Sequence, residues 1–124
     1  MDNNIVEEKV PFSVACALKR AGFNRISSDC WLETLDGDII HSSEKRDCPE
    51  HDRATLYCWQ PTLDVAIEWL RLNYSIHIWV SYDGVDYTYN IRHSKVKFII
   101  LSSFTSINEA KKAALGYVSY LLLL

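Results

Sequence analysis

Apolar residues recur along this chain with two periods, and each period marks a kind of element. Val14, Leu18 and Ala21 are spaced by four and three, the repeat of one helical face. The spacing predicts a first helix from about Pro11 to Ala21. Pro11 suits a first turn, Glu7 and Glu8 complement the dipole at the helix N-terminus, and Gly22 followed by Phe23 supplies a left-handed stop with an apolar residue beyond it. Trp31 to Leu35 and Ile39 to His41 then flank Asp36-Gly37, a dipeptide that tolerates the positive φ angles of a tight turn. This reads as a hairpin, and simple pairing across the turn sets Glu33 opposite Ile40. Thr55 to Trp59 has the composition of a further strand. The polar, charged stretch from Ser42 to Arg53 before it reads as a mobile loop.

In the second half, Leu63, Ile67, Leu70 and Tyr74 repeat along one face behind Thr62, a side-chain cap, and predict a helix to about Leu72. Ile76 to Tyr82 and Val85 to Ile91 alternate around Asp83-Gly84. A two-residue turn there sets Ile76 opposite Ile91, Ile78 opposite Tyr89, Val80 opposite Tyr87 and Tyr82 opposite Val85. The nearly all-apolar run from Lys97 to Leu101 reads as a strand that is central or covered on both faces. Ser106 and Glu109 have the spacing of a capping box, in which each accepts a backbone N–H. Ile107, Ala110, Ala114, Val118 and Leu121 carry a last helical stripe to a terminal leucine run that packs on the core. The order predicts an α+β fold with three helices and a largely antiparallel sheet of five or six strands, forming one globular domain over residues 1–124.

Composition agrees with that class: 48% of the 124 residues are apolar and 23% charged, with 4 Gly and 3 Pro, which excludes a disordered or collagen-like chain. The net charge of −3 neither draws the protein onto phosphate backbones nor repels it from them. Charge is uneven, since residues 1–86 hold 8 basic and 15 acidic side chains and residues 87–124 hold 5 and 1. The polar N-terminus has no export signal, and the longest apolar stretch, 12 residues from Ala113 to Leu124, is too short to span a bilayer. The expectation is a cytoplasmic protein without a membrane partner, with Cys16, Cys30, Cys48 and Cys58 as thiols.

Three constellations carry candidate chemistry. Cys48, His51 and Cys58, with Cys30 and His41 upstream, are ligand types that zinc selects, but no second close pair completes four ligands. The expectation is loop and core residues, no metal and no cofactor. No thiol or hydroxyl is spaced from a histidine as a catalytic pair requires, so no catalytic residue is assigned. Arg92, Lys95 and Lys97 form a basic segment near Tyr87, Tyr89 and Trp79, the ingredients of single-strand nucleic-acid binding, yet alternation turns both tyrosines to the apolar side. The same alternation sends His77, Trp79 and Ser81 to the opposite face with Asp86, Thr88 and Asn90. Trp79 is a lone large ring among polar neighbours, covered either by another part of the chain or by a partner.

The string Pro61-Thr62-Leu63, Ala66-Ile67, Trp69-Leu70-Arg71, then Ile76-His77-Ile78, then Phe104, Ser106 and Glu109-Ala110, resembles a family of small uncharacterised proteins carried by bacteriophages and prophages of gut anaerobic bacteria. Leu18 to Phe23 also looks like that family's first helix. The resemblance runs from about Pro11 to Tyr120 and implies an accessory protein acting inside a bacterial cell, with no activity to carry over to named residues. The expected function is therefore a non-enzymatic domain that binds protein or itself through His77, Trp79, Thr88 and Asn90. The alternative is a nucleic-acid-associated regulator using residues 92–97.

Overall fold

A computed structural model describes residues 7–43, 54–93 and 96–122. Its elements run α-β-β-β-α-β-β-β-α, the expected α+β class, and the six strands divide between two three-stranded antiparallel sheets. Helix α1 spans Phe12–Arg20, so Pro11 is the residue before the helix, extended at φ −73° and ψ 166°. Its end is built as the Gly-Phe pair predicts. Gly22, at φ 107°, donates its N–H to the Lys19 carbonyl, and Phe23 donates to Leu18 while its ring packs edge-on against Trp69. Glu8 has other work than the α1 dipole. The Glu8 carboxylate pairs with Lys112 of the last helix, and its carbonyl accepts the Leu63 N–H.

The first sheet has the order β2-β1-β3, with β1 at Asp29–Glu33, β2 at Ile39–Ser43 and β3 at Thr55–Gln60. Glu33 faces Ile39 instead of Ile40, because the turn uses three residues. Thr34 accepts the Gly37 N–H and donates its own to Asp38, with Gly37 at φ 89°, the three-residue loop that ends in a left-handed glycine. Between β1 and β3, Trp31 faces Cys58 and Leu32 faces Leu56, so Tyr57 is an extra, bulged residue. A bulge re-aims side chains. Here Tyr57 stacks on Phe12 and lies 4.0 Å under the Lys19 ammonium, so α1 seals this sheet. Of the stretch expected as a loop, Ser42 and Ser43 belong to β2, and residues 44–53 lie outside the described residues.

Helix α2 spans Leu63–Tyr74, with Val65 donating to the Thr62 hydroxyl at 3.2 Å, and it buries Leu63, Ala66, Trp69 and Leu70. Ser75 ends it in the left-handed region at φ 55°, and the chain reverses directly into the second sheet. That sheet has the order β4-β5-β6, with β4 at Ile76–Tyr82, β5 at Tyr87–His93 and β6 at Val96–Phe104. The β4–β5 register differs from the expected one by two residues: Ile78 faces Ile91, Val80 faces Tyr89 and Tyr82 faces Tyr87. Gly84, at φ 100°, takes the first central position of the turn, and the Asp83 carboxylate accepts both the Val85 and Asp86 N–H groups. A slip of two leaves every side chain on its face, whereas a slip of one would invert them all. Strand β6 pairs with β5 at the sheet's edge and is not central, so β5 holds the middle.

Helix α3 spans Ile107–Leu122, and Glu109 donates its N–H to the Ser106 hydroxyl at 3.1 Å. Only half of the capping box forms, because the Glu109 carboxylate accepts the Thr105 hydroxyl at 2.6 Å. The buried stripe is Ala110, Ala114, Leu115 and Val118, while Ile107 and Leu121 at its ends are exposed. The C-terminal expectation is corrected to that extent: Leu121 does not pack on the core, and Leu123 and Leu124 lie outside the described residues. Val10, Val14, Leu18, Cys58, Leu70, Ile91 and Leu115 belong to one buried cluster that draws on both sheets and all three helices.

Two outcomes follow from this packing. Ser106→Ala should lower unfolding free energy by about 1 kcal/mol in a denaturant titration, since one orphan N–H loses its acceptor. A fragment beginning at Gln60 removes Val10, Val14, Ala15 and Leu18 from the cluster and should lose its sharp thermal transition; a cooperative melt would show that the second sheet and its helices stand alone.

Candidate functional site

The face of the second sheet that carries Ile76, Ile78, Tyr89 and Ile91 is buried under α2 and α3, while α1 packs instead on α3 and β3. No described helix lies on the opposite face. There the antiparallel ladder sets His77 beside Arg92, Trp79 beside Asn90 and Ser81 beside Thr88. His77, Ser81 and Arg92 are exposed, Thr88 is half-buried, and Trp79 keeps 40% of its surface open. Asn90 departs from expectation, because it shares this face yet is only 5% exposed. It sits on the central strand, and its amide donates to the Ser81 hydroxyl at 2.9 Å and toward the Trp79 carbonyl at 3.4 Å. Asn90 therefore holds the platform in place beneath its neighbours and does not itself present a contact. Asp86 falls in the turn, where its N–H is bound to Asp83.

The basic segment is only partly brought together. Arg92 is exposed on the Trp79 face, and the register places it opposite position 97 of β6, so Arg92 and Lys97 are neighbours in the ladder. Lys95 lies outside the described residues. Tyr89 is buried on the helix-covered side, where burial, and then Tyr117, push its hydroxyl pKa up. It offers no ring for a base to stack on.

The metal candidates do not assemble. Cys58 is 3% exposed in the core, and burial, followed by the neighbouring Cys16 thiol, pushes its pKa up to about 12. Cys30 is shifted the same way, by burial and then by Asp29. A thiol is a metal ligand as its thiolate, which this environment disfavours. The His41 ring contacts the Gln60 amide oxygen at 2.6 Å, and Cys48 and His51 lie outside the described residues. Among the described residues no group of three or more His, Cys, Asp or Glu side chains could hold a metal ion.

One concavity was not foreseen. A groove of about 440 Å³ opens where the N-terminal turns of α2 and α3 meet the end of the second sheet, lined by Ile67, Ile78, Val80, Tyr82, Tyr87 and Ile107, and Trp79 of the edge strand β4 lines it too. Lys111 spans its rim to Asp64 at 2.6 Å. The rings of Tyr82 and Tyr87 lie 4.7 Å apart, a pair legible only once the turn is centred on Gly84-Val85. The titratable groups with displaced pKa values lie elsewhere, in the core, on β1 and in the turn, where the Asp86 and then the Val85 N–H groups hold the exposed Asp83 carboxyl below its usual range. No described helix is long and apolar enough to cross a membrane.

No family model, curated protein or solved structure matches this chain.

The thiol environment has a direct consequence. In the folded protein at neutral pH, Cys58 should react with a maleimide at least about a hundredfold more slowly than in denaturant, because it is both buried and protonated. Peptide mapping after timed labelling measures this, and equal rates would place Cys58 outside the core.

Proposed function

We propose that this protein is a non-enzymatic accessory domain of bacteriophage type that works inside a bacterial cell by binding protein, through the open face of its second sheet. The observation that carries the reading is Trp79. A large aromatic side chain 40% open to water, among polar neighbours and on a regular sheet with no described helix over it, is the arrangement of a binding anchor. His77, Thr88 and Arg92 form its polar rim, and the buried Asn90 amide keeps the two strands in register beneath it. Rigidity matters because an anchor fixed before binding loses less conformational freedom on association. The phage setting is supported by the sequence resemblance over Pro11 to Tyr120. Nucleic acid is less well served, with Tyr89 buried and a net charge of −3.

A photo-crosslinking amino acid at position 77 tests this in bacterial cells, with exposed Leu35 as the control position. The expected result is discrete protein adducts from position 77 alone, abolished by Trp79→Ala. That substitution should cost about 1 kcal/mol of stability, well below the 3–5 kcal/mol of a buried tryptophan. Absence of adducts, or adducts indifferent to Trp79, would overturn the reading.

A further inference from the structure

We infer that β4 pairs edge to edge with β4 of a second copy of this chain, giving a two-fold dimer with Trp79 at its axis. This rests on the protein-binding reading of the same strand and specifies the partner.

Four strands stand at sheet edges among the described residues, and they differ in how they are guarded. Strand β3 is interrupted by the Tyr57 bulge, and β2 is five residues long. Strand β6 carries Lys97, and its register with β5 shifts between Tyr87 and Tyr89. A bulge, a short strand and a lysine are the devices that blunt an edge. Strand β4 has none of them. It is seven residues long and paired with β5 without a register shift, and its sequence Ile-His-Ile-Trp-Val-Ser-Tyr contains no charge, proline or glycine.

The backbone has the right phase for this pairing. Asp83 donates its N–H to the Asp86 carbonyl across the turn, which makes that pair hydrogen-bonded. Alternation along an antiparallel ladder then directs the N–H and C=O groups of Trp79 toward β5, and those of Ile76, Ile78, Val80 and Tyr82 toward the open edge. In a two-fold pairing centred on Trp79, Ile78 meets Val80 of the second copy and Ile76 meets its Tyr82, so every outward-directed residue finds an outward-directed partner. All seven residues overlap, with about eight new backbone hydrogen bonds.

The side chains match under the same operation. The strand is close to a palindrome of chemical kind, in which aliphatic or aromatic residues meet on the helix-covered side and His77 meets Ser81 on the open side. The two Trp79 rings stand opposite each other at the axis, and no like charges are opposed anywhere along the seam. Trp79 and Tyr82, the two large side chains of β4 left substantially exposed, both lie in the contact. A heterologous peptide would satisfy the backbone too, but it has no reason to share the palindrome. The isologous symmetry of a two-fold dimer demands one.

The test is sedimentation velocity across a hundredfold range of protein concentration, with amide hydrogen exchange on the same samples. The wild-type chain should pass from monomer to dimer, and the Ile78 and Val80 amides should gain protection as it does. Two double variants read the register: His77→Asp with Ser81→Asp, and His77→Lys with Ser81→Lys. Each alone opposes like charges at both ends of the seam and should weaken self-association at least about tenfold, while an equimolar mixture should restore a heterodimer. Both positions are exposed, and thermal melts of each variant confirm the fold. A wild-type chain that stays monomeric throughout overturns the dimer while leaving crosslinked heterologous partners as evidence for the binding face. A dimer indifferent to these charges, or one whose Ile78 and Val80 amides gain no protection, also overturns it.

Discussion

Helix α3 touches α1, α2 and every strand of the second sheet, and the small side chains on its inner stripe are what permit this. Ala110 and Ala114 are fully buried beside Leu115 and Val118, in the cluster that also takes Val14, Ala15 and Leu18 from α1 and Ile91 from β5. An alanine face lets neighbouring backbones approach closely, so one helix can serve two layers at once. The first sheet, with few fully buried residues of its own, reaches that centre through Cys58 and through the half-buried Trp31, Tyr57 and Trp59 side chains packed against it. Its stability is borrowed from the helices that α3 aligns.

The same arrangement decides where the molecule is open. With α2 and α3 on one face of the second sheet, and α1 occupied by α3 and β3, no described helix is left for the other face. The platform of His77, Trp79, Ser81, Thr88 and Arg92 is a by-product of covering the first side completely. That face is held stiffly, since the Asn90 amide ties β4 to β5 at its middle and the Asp83 carboxylate closes the turn at its end.

Local chemistry was legible wherever a few neighbouring residues settle the outcome. Thr62 and Ser106 cap helices because a hydroxyl can reach an N–H three residues on, and Gly22 stops α1 because it alone readily takes φ 107°. Alternation placed Trp79 and His77 together on one face and Ile78, Tyr89 and Ile91 on the other, and a two-residue error in register did no harm to that reading because faces repeat every two residues. Asn90 was misjudged because alternation reports a face and not the depth at which a residue lies on it. The Asn90 amide is turned onto the Ser81 hydroxyl and the Trp79 carbonyl of the neighbouring strand, a contact that only the pairing of the two strands supplies.

The chain by itself therefore determined its elements, their caps and their faces, all of which depend on contacts within a few residues. Tertiary structure decided the division into two sheets, the edge position of β6, the loss of half the final capping box to Thr105 and the deep burial of Cys58. It decided the groove at the N-termini of α2 and α3 as well. Each of these turns on which residues distant in sequence meet, and one turn or one helix face can be satisfied by several such meetings. Choosing among them requires the packing of the whole core, a property that no window of the sequence contains.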